Sequence, residues 1–175
     1  MPLTFEGQHI DDEAAVRVGA LAPDFTLHDE QGAQWRLADK RGRVVALLFY
    51  PGDETLVCTR QLCSVRDHWT EYVETGAEII GVSRDTSDSH RRFAERRRLP
   101  LKLLSDPDGS VIATYRNHSL LPSWATRAVT VIDAKGIVRF HKVMLKLFRP
   151  RDQEVVTAIY LSRYDVLTEG LPDSI

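Results

Sequence analysis

The run Val44-Val45-Ala46-Leu47-Leu48-Phe49, stopped at Pro51-Gly52, constrains this chain more than any other stretch. Apolar residues in unbroken succession, bounded by turn formers, predict a buried strand, which needs a sheet covered on both sides. Thr55 then stands where a helix N-cap would stand, and Leu62, Val65, Trp69, Tyr72 and Val73 recur with helical spacing. Cys58 therefore falls in the first turn of a helix that follows directly on a core strand. The N–H groups of that turn lack intrahelical partners and the helix dipole is positive there, so a thiolate is favoured at Cys58.

The flanking sequence extends this unit. Residues 1–17 are polar with little periodicity and are expected to be an irregular arm. Gly19 to Leu27, holding Ala22-Pro23-Asp24-Phe25 and then Thr26 and Leu27, reads as a short extended piece. Asp29-Glu30-Gln31-Gly32 is a turn, and Gln34-Trp35-Arg36-Leu37 alternates, which predicts a hairpin. The helix from Thr55 is predicted to end near Gly76, and Ala77 to Ser83 to form a second buried strand. A helix over Thr86 to Leu99 stops before Pro100, and a short apolar run follows at Leu101 to Leu104. Asp106-Pro107-Asp108-Gly109 opens a short helix through Tyr115, and residues 116–126, with Pro122 and Trp124, form a loop. Strands at Ala128–Ile132 and Ile137–Val143 flank the hairpin turn Asp133-Ala134-Lys135-Gly136. Pro150 opens a last helix with Val155, Val156, Ile159, Tyr160 and Leu161 on its inner side, and residues 168–175 are expected to fray. This order predicts an α/β fold: a mixed central sheet flanked by helices, with an N-terminal β-hairpin. We expect a single domain over 1–175, with its core at about 18–165.

Charge and composition narrow the function classes. A net charge of −2 gives no reason to expect nucleic acid or an anionic membrane as partner. Arg91, Arg92, Arg96, Arg97 and Arg98 crowd one helix, but Phe93 and Leu99 face its inner side, and the arginines read as a solvated face. The longest apolar runs are too short to span a bilayer, and Met1 to Ile10 show no signal-peptide pattern, so a cytoplasmic location is expected. In a reducing compartment the two cysteines are expected to be free, metal-bound or redox-active rather than a permanent staple. Cys58, Cys63 and His68 are evenly spaced, but a structural zinc site needs four ligands, so no metal is expected. Gly-x-Gly-x-x-Gly and the phosphate-binding Gly-x4-Gly-Lys-Ser/Thr are both missing, so no nucleotide cofactor is expected; Gly-x-Ser-x-Gly is missing too. The spacing Cys-x4-Cys differs from the Cys-x-x-Cys of dithiol oxidoreductases.

Pro51-x-x-x-Thr55-x-x-Cys58 resembles the signature of the peroxiredoxins, thiol peroxidases with a thioredoxin-like fold. Cys63, five residues on, is similar to the second cysteine of the peroxiredoxin Q, or bacterioferritin-comigratory, subfamily. Ala22-Pro23-Asp24-Phe25 resembles that family's opening strand, Gly81-Val82-Ser83 its second core strand, and Leu104-Ser105-Asp106-Pro107 a later segment. Arg127-x-x-x-Val131-Ile132-Asp133 matches the place of its active-site arginine. The resemblance implies catalytic roles for Cys58, Cys63, Thr55, Pro51 and Arg127. Cys58 would attack the peroxide, Arg127 would supply positive charge, Thr55 would orient the peroxide and Pro51 would shape and dry the pocket. It implies a peroxide substrate, hydrogen peroxide or an organic hydroperoxide. It also implies resolution by an intramolecular disulfide to Cys63, recycling by thioredoxin or a similar dithiol, and a monomer or weak homodimer. Val57 departs from the glycine common in the subfamily, and the 116–126 loop looks short for it. A peroxide-responsive redox sensor on the same fold is the competing reading, and a general thiol–disulfide oxidoreductase is disfavoured by the missing Cys-x-x-Cys.

Helix geometry adds one expectation. Five positions apart in a regular helix, Cys58 and Cys63 would have Cα atoms about 8.7 Å apart and point about 140° away from each other. A disulfide wants Cα atoms within roughly 7 Å and facing Cβ vectors. Bond formation therefore requires the helix to unwind.

Overall fold

The computed structural model describes residues 16–116, 121 and 126–168, with side chains through Tyr164. The expected arm as far as residue 15, most of the 116–126 loop with Pro122 and Trp124, and the chain end from 169 lie outside the described residues; Val16, at the end of that arm, is buried in the core.

Seven strands form one mixed sheet: β1 (Thr26–Asp29), β2 (Gln34–Arg36), β3 (Val45–Phe49), β4 (Glu78–Ser83), β5 (Lys102–Ser105), β6 (Thr126–Ile132) and β7 (Val138–Leu145). Their spatial order is β2-β1-β5-β4-β3-β6-β7. The central trio β5-β4-β3 is parallel, while β6, β7 and the β1–β2 hairpin add antiparallel edges. Among the described residues there are also five α-helices, α1 (Leu56–Asp67), α2 (Trp69–Glu74), α3 (Ser87–Arg97), α4 (Ser110–Tyr115) and α5 (Asp152–Thr168), and a short 3-10 helix at Leu37–Lys40.

The opening apolar run is the centre of this sheet, and both of its faces are buried. Ala46, Leu48 and Tyr50 point into a cluster with Leu62, Val65, Phe93 and Ile159, so α1, α3 and α5 cover that side. Val45, Leu47 and Phe49 point the other way, toward Trp35, Leu104, Ile112 and Tyr115. Leu47 and Leu48 are both buried, each worth about 1.5–3 kcal/mol relative to exposure. A strand buried on both faces shows no alternation, which is why the run reads as continuous. Gly81 lies beside it for a steric reason: a Cβ there would sit 2.7 Å from Leu103 Cδ2 and 3.2 Å from Tyr50.

Several expectations need correction. The helix predicted from Thr55 to Gly76 is two helices, broken at His68, whose φ and ψ are −104° and 20°. The His68 N–H closes the last turn of α1 onto the Ser64 carbonyl, and its ring Nδ1 reaches the same oxygen at 2.9 Å. Its own carbonyl starts the next turn by accepting from Glu71. Val73, expected inside, is 55% exposed. On α5, Val155, Val156 and Ile159 are buried as expected, but Tyr160 and Leu161 face outward at 36% and 60% exposure. Of the extended piece over 19–27, only its end enters the sheet: Thr26 and Leu27 open β1, and before them Leu21 makes a lone bridge to Ile137. Among the described residues no helix is long and apolar enough to cross a membrane.

Candidate active site

The candidate site forms where β3 ends. Tyr50 carries the chain out of the sheet into the loop Pro51-Gly52-Asp53-Glu54-Thr55, and α1 starts at Leu56. This loop is anchored from several sides. The Asp53 carboxylate accepts from the Tyr50 hydroxyl at 2.8 Å and the Ser89 hydroxyl at 2.8 Å, and meets His90 Nδ1 at 2.9 Å. His90 is fully buried, and its Nε2 faces the Leu104 carbonyl at 3.1 Å. Burial, and after it the adjacent Asp53 carboxylate, hold the Tyr50 hydroxyl well above the ordinary phenol range, so it stays a donor. The Asp53 N–H donates to Asp85 Oδ2 at 2.9 Å, and Asp85 also accepts from Ser83. Removing one partner of such a bond leaves a buried polar group unpaired at a cost of about 1–3 kcal/mol, so the loop is held firmly.

Glu54 takes a left-handed conformation, φ 57°, which costs a non-glycine residue about 1–3 kcal/mol. Its carboxylate is gripped by Arg96 at 2.9 Å and Arg97 at 3.1 Å. Arg96 and Arg97, at the end of α3, thus hold the loop, and Arg91 pairs with Asp88 on its own helix.

Thr55 is the N-cap of α1 by position, yet its side chain makes no capping bond. Its hydroxyl donates to the Gly52 carbonyl at 3.3 Å instead, which leaves its lone pairs available to accept. Cys58 occupies the first turn of α1 and is completely buried, within the apolar cluster on that face of the sheet.

Strand register brings the arginine. Phe49 of β3 pairs with Ala128 of β6, so Arg127 emerges beside the end of β3. Alternation places Arg127 with Val129 and Val131, on the face that α1 covers. Arg127 is 1% exposed, and its guanidinium is used at all three nitrogens. Nη2 donates to Cys58 Sγ at 3.1 Å, Nη1 to Gln61 Oε1 at 2.5 Å and Nε to the Lys146 carbonyl at 3.0 Å. A fixed positive charge thus lies against the sulfur, at the positive end of a helix. Gln61 was not singled out in the sequence. Its only signal is its place one turn beyond Cys58 on the same helix face.

A cavity of ≈ 340 Å³ opens over this cluster, lined by Pro51, Thr55, Leu56, Val57, Arg127 and Leu147. Its walls are mainly apolar, and Arg127 brings charge to it. A larger cavity of ≈ 550 Å³ lies between β7 and α5, lined among others by Arg139, Phe140, Arg151 and Glu154, and shares no residue with the thiol site. Pro51, Thr55, Cys58 and Arg127 are thus gathered at one place, while Cys63 sits further along α1, half-buried. Both cysteines are free thiols. Among the described residues no group of His, Cys, Asp and Glu is placed to hold a metal, and His68 is exposed.

A thioredoxin-like α/β sheet presenting a buried cysteine to an arginine defines the class. The model of the AhpC/TSA family matches residues 18–141, and the chain belongs to that family. Its likeness is to the peroxiredoxin Q and BcpB branch. The chloroplastic peroxiredoxin Q of Triticum aestivum is 41% identical over 126 residues, covering 71% of this chain and 58% of that protein. That of Sedum lineare is 39% identical over 127 residues, covering 72% and 68%. The chain therefore spans only about three-fifths of the length of such relatives. The peroxidoxin BcpB of Mycobacterium tuberculosis superimposes with a TM-score of 0.69 at 32% identity, over 85% of this chain and 97% of that one. The reduced 2-Cys peroxiredoxin of Plasmodium vivax shares the fold, with a TM-score of 0.75 at 22% identity, over 90% and 88% of the two chains.

Proposed function

We propose that the protein is a thiol-dependent peroxidase in which Cys58 is the nucleophile. The observation that carries this reading is the 3.1 Å contact to the buried Cys58 sulfur from Arg127, which also lines the cavity that Pro51 and Thr55 line. The Cys58 thiolate attacks one oxygen of a hydroperoxide; the S–O bond forms, the O–O bond breaks and an alkoxide or hydroxide leaves, to be protonated to alcohol or water. Sulfur loses two electrons and becomes a sulfenic acid. Arg127 stabilises the thiolate first and then the charge growing on the leaving oxygen. Thr55 orients the peroxide, and Pro51, without an N–H of its own, helps keep water out.

The Cys63 thiol then attacks the sulfenic sulfur, forming the disulfide and expelling water. Both cysteines lie on α1, so this needs the unwinding that helix geometry demands. Two buried polar atoms on the turn between them, Thr59 Oγ1 and Gln61 Nε2, have no hydrogen-bond partner among the described residues. Each such group costs about 1–3 kcal/mol, which brings the unwound form closer in energy. An external dithiol, thioredoxin or one similar, returns both thiols. A reducing compartment such as the cytoplasm suits that cycle.

Replacing Cys63 by Ser tests the second half of this reading. The variant is expected to react once with peroxide, then stall and over-oxidise to sulfinic acid unless an added thiol rescues it. Normal cycling with thioredoxin, read by mass spectrometry, would remove Cys63 from the mechanism. Amide hydrogen exchange tests the motion. Amides 57–65 are expected to exchange faster in the disulfide form than in the reduced form. Equal protection in both forms contradicts the unwinding.

A further inference from the structure

Asp152, the first residue of α5, lies far from Cys63 in sequence but beside it in space. Its Oδ2 accepts from the hydroxyl of Ser64, the neighbour of Cys63, at 2.5 Å. Its Oδ1 accepts from the Tyr72 hydroxyl on α2 at 2.8 Å. His68, at the break between the two helices, places Nδ1 3.7 Å from the same carboxylate, and Arg149 approaches to 3.9 Å. One carboxylate thus spans α1, the break and α2. The body behind it is fixed, because Val155, Val156 and Ile159 bury α5 in the core. Burial, and after it the Asp152 charge, push the Tyr72 hydroxyl far above the ordinary phenol range, so it remains a donor.

The cysteine pair makes this arrangement consequential. Cys63 must turn by about 140° and close a Cα gap of about 8.7 Å to reach Cys58. Ser64 is its immediate neighbour and cannot keep a 2.5 Å bond to a fixed carboxylate through that rotation. The opposite end of the segment is held by Arg127 through Cys58 and Gln61. Attack on Cys58 changes the first clamp directly, because the sulfur there becomes a sulfenic acid. The Asp152 clamp carries no oxidisable group and stays closed until its hydrogen bonds break.

We propose that Asp152 is a positioning residue for the resolving step: by bonding Ser64 and Tyr72 together it holds the Cys63 turn helical and sets how fast Cys63 reaches Cys58. The proposal rests on the assignment of Cys58 and Cys63 made above. The step it governs is the condensation already described: the Cys63 sulfur is oxidised, the Cys58 sulfur is reduced, an S–S bond replaces S–O and S–H, and water leaves. A tight clamp slows this step and leaves the sulfenic acid exposed longer to a second peroxide. The site then trades turnover for sensitivity to over-oxidation.

The test uses the full chain with Asp152→Ala, Asp152→Asn, Ser64→Ala and Tyr72→Phe. One equivalent of hydrogen peroxide is added, and acid-quenched samples are read by mass spectrometry for sulfenic acid, disulfide and sulfinic acid. Asp152→Ala is expected to form the disulfide roughly tenfold faster, about the factor one hydrogen bond to a charged group carries when water competes for it. Asp152→Asn, which keeps one acceptor oxygen, and Ser64→Ala and Tyr72→Phe, which each cut one strand of the clamp, are expected to fall between. The initial loss of peroxide should not change, and more peroxide should be needed to reach sulfinic acid. Weakened packing alone would not speed one chemical step while sparing the one before it. Unchanged or slower disulfide formation in these variants overturns the proposal. Ser64→Ala deletes a single half-buried hydroxyl and keeps the test readable if Asp152→Ala fails to fold. Should the oxidised parent chain contain no Cys58–Cys63 bond at all, the assignment of Cys63 itself falls, and the role of Asp152 with it.

Discussion

Replacing Cys58 by Ser is expected to abolish peroxide consumption while the fold survives. Serine is nearly isosteric, so the closed packing around this fully buried position is kept. Its hydroxyl can still accept from Arg127 Nη2, which sits 3.1 Å from the sulfur, so the buried polar atom is not orphaned. What disappears is the nucleophile: a hydroxyl does not ionise appreciably at neutral pH, and oxygen does not take the two electrons' worth of oxidation that sulfur does. Peroxide loss should fall to the protein-free rate, with an unchanged circular dichroism spectrum. Peroxide consumption by the folded variant at the parent rate would end the assignment of Cys58.

Arg127→Ala is expected to slow oxidation of Cys58 on the order of 10²–10³-fold, the usual cost of removing one preorganised donor from developing negative charge. It should also slow alkylation of Cys58 by iodoacetamide at pH 7, because the charge favouring the thiolate is gone. Arg127→Lys separates charge from geometry. A lysine keeps the charge but lacks the planar fork that now serves Cys58, Gln61 and the Lys146 carbonyl at once. Its rate is expected to lie between those of the parent and the alanine variant. An alanine variant that stays folded and reacts with peroxide at the parent rate would show that Arg127 plays no part in the chemistry.

Much of this architecture is legible in the chain because its strongest signals are local. Val44–Phe49 can only be a buried strand, and Asp133-Ala134-Lys135-Gly136 between apolar runs gives the β6–β7 hairpin. The position of Cys58 in a first helical turn follows from strand, turn and periodicity alone. The Cys58–Arg127 contact did not follow from spacing; it came from a family resemblance, and register with β3 is what realises it. The misread helix faces share one cause, an apolar residue next to a buried one being taken as buried too. Tyr160 and Leu161 follow Ile159, but successive helical residues turn by about 100°, so Leu161 points nearly opposite to Ile159. Val73 beside Tyr72 is the same case. Polar tertiary pairs left no periodic trace at all. Asp53 with His90, Glu54 with Arg96 and Arg97, and Asp152 with Ser64 and Tyr72 join elements far apart in sequence. Their meaning appears only when the sheet brings α1, α3 and α5 to one face. The break at His68 is equally silent in the pattern, since it rests on how one ring and one N–H share the Ser64 carbonyl.

The central claim is that Cys58 turns over peroxide rather than being oxidised once. A coupled assay with thioredoxin, thioredoxin reductase and NADPH measures this directly, with hydrogen peroxide and an alkyl hydroperoxide as substrates. The account predicts continuous NADPH oxidation that needs peroxide, the protein and thioredoxin together, over many equivalents of peroxide per chain, and none with Cys58→Ser. Consumption that stops near one equivalent per chain, with any dithiol reductant supplied, would contradict it and favour a peroxide-responsive redox sensor on the same fold.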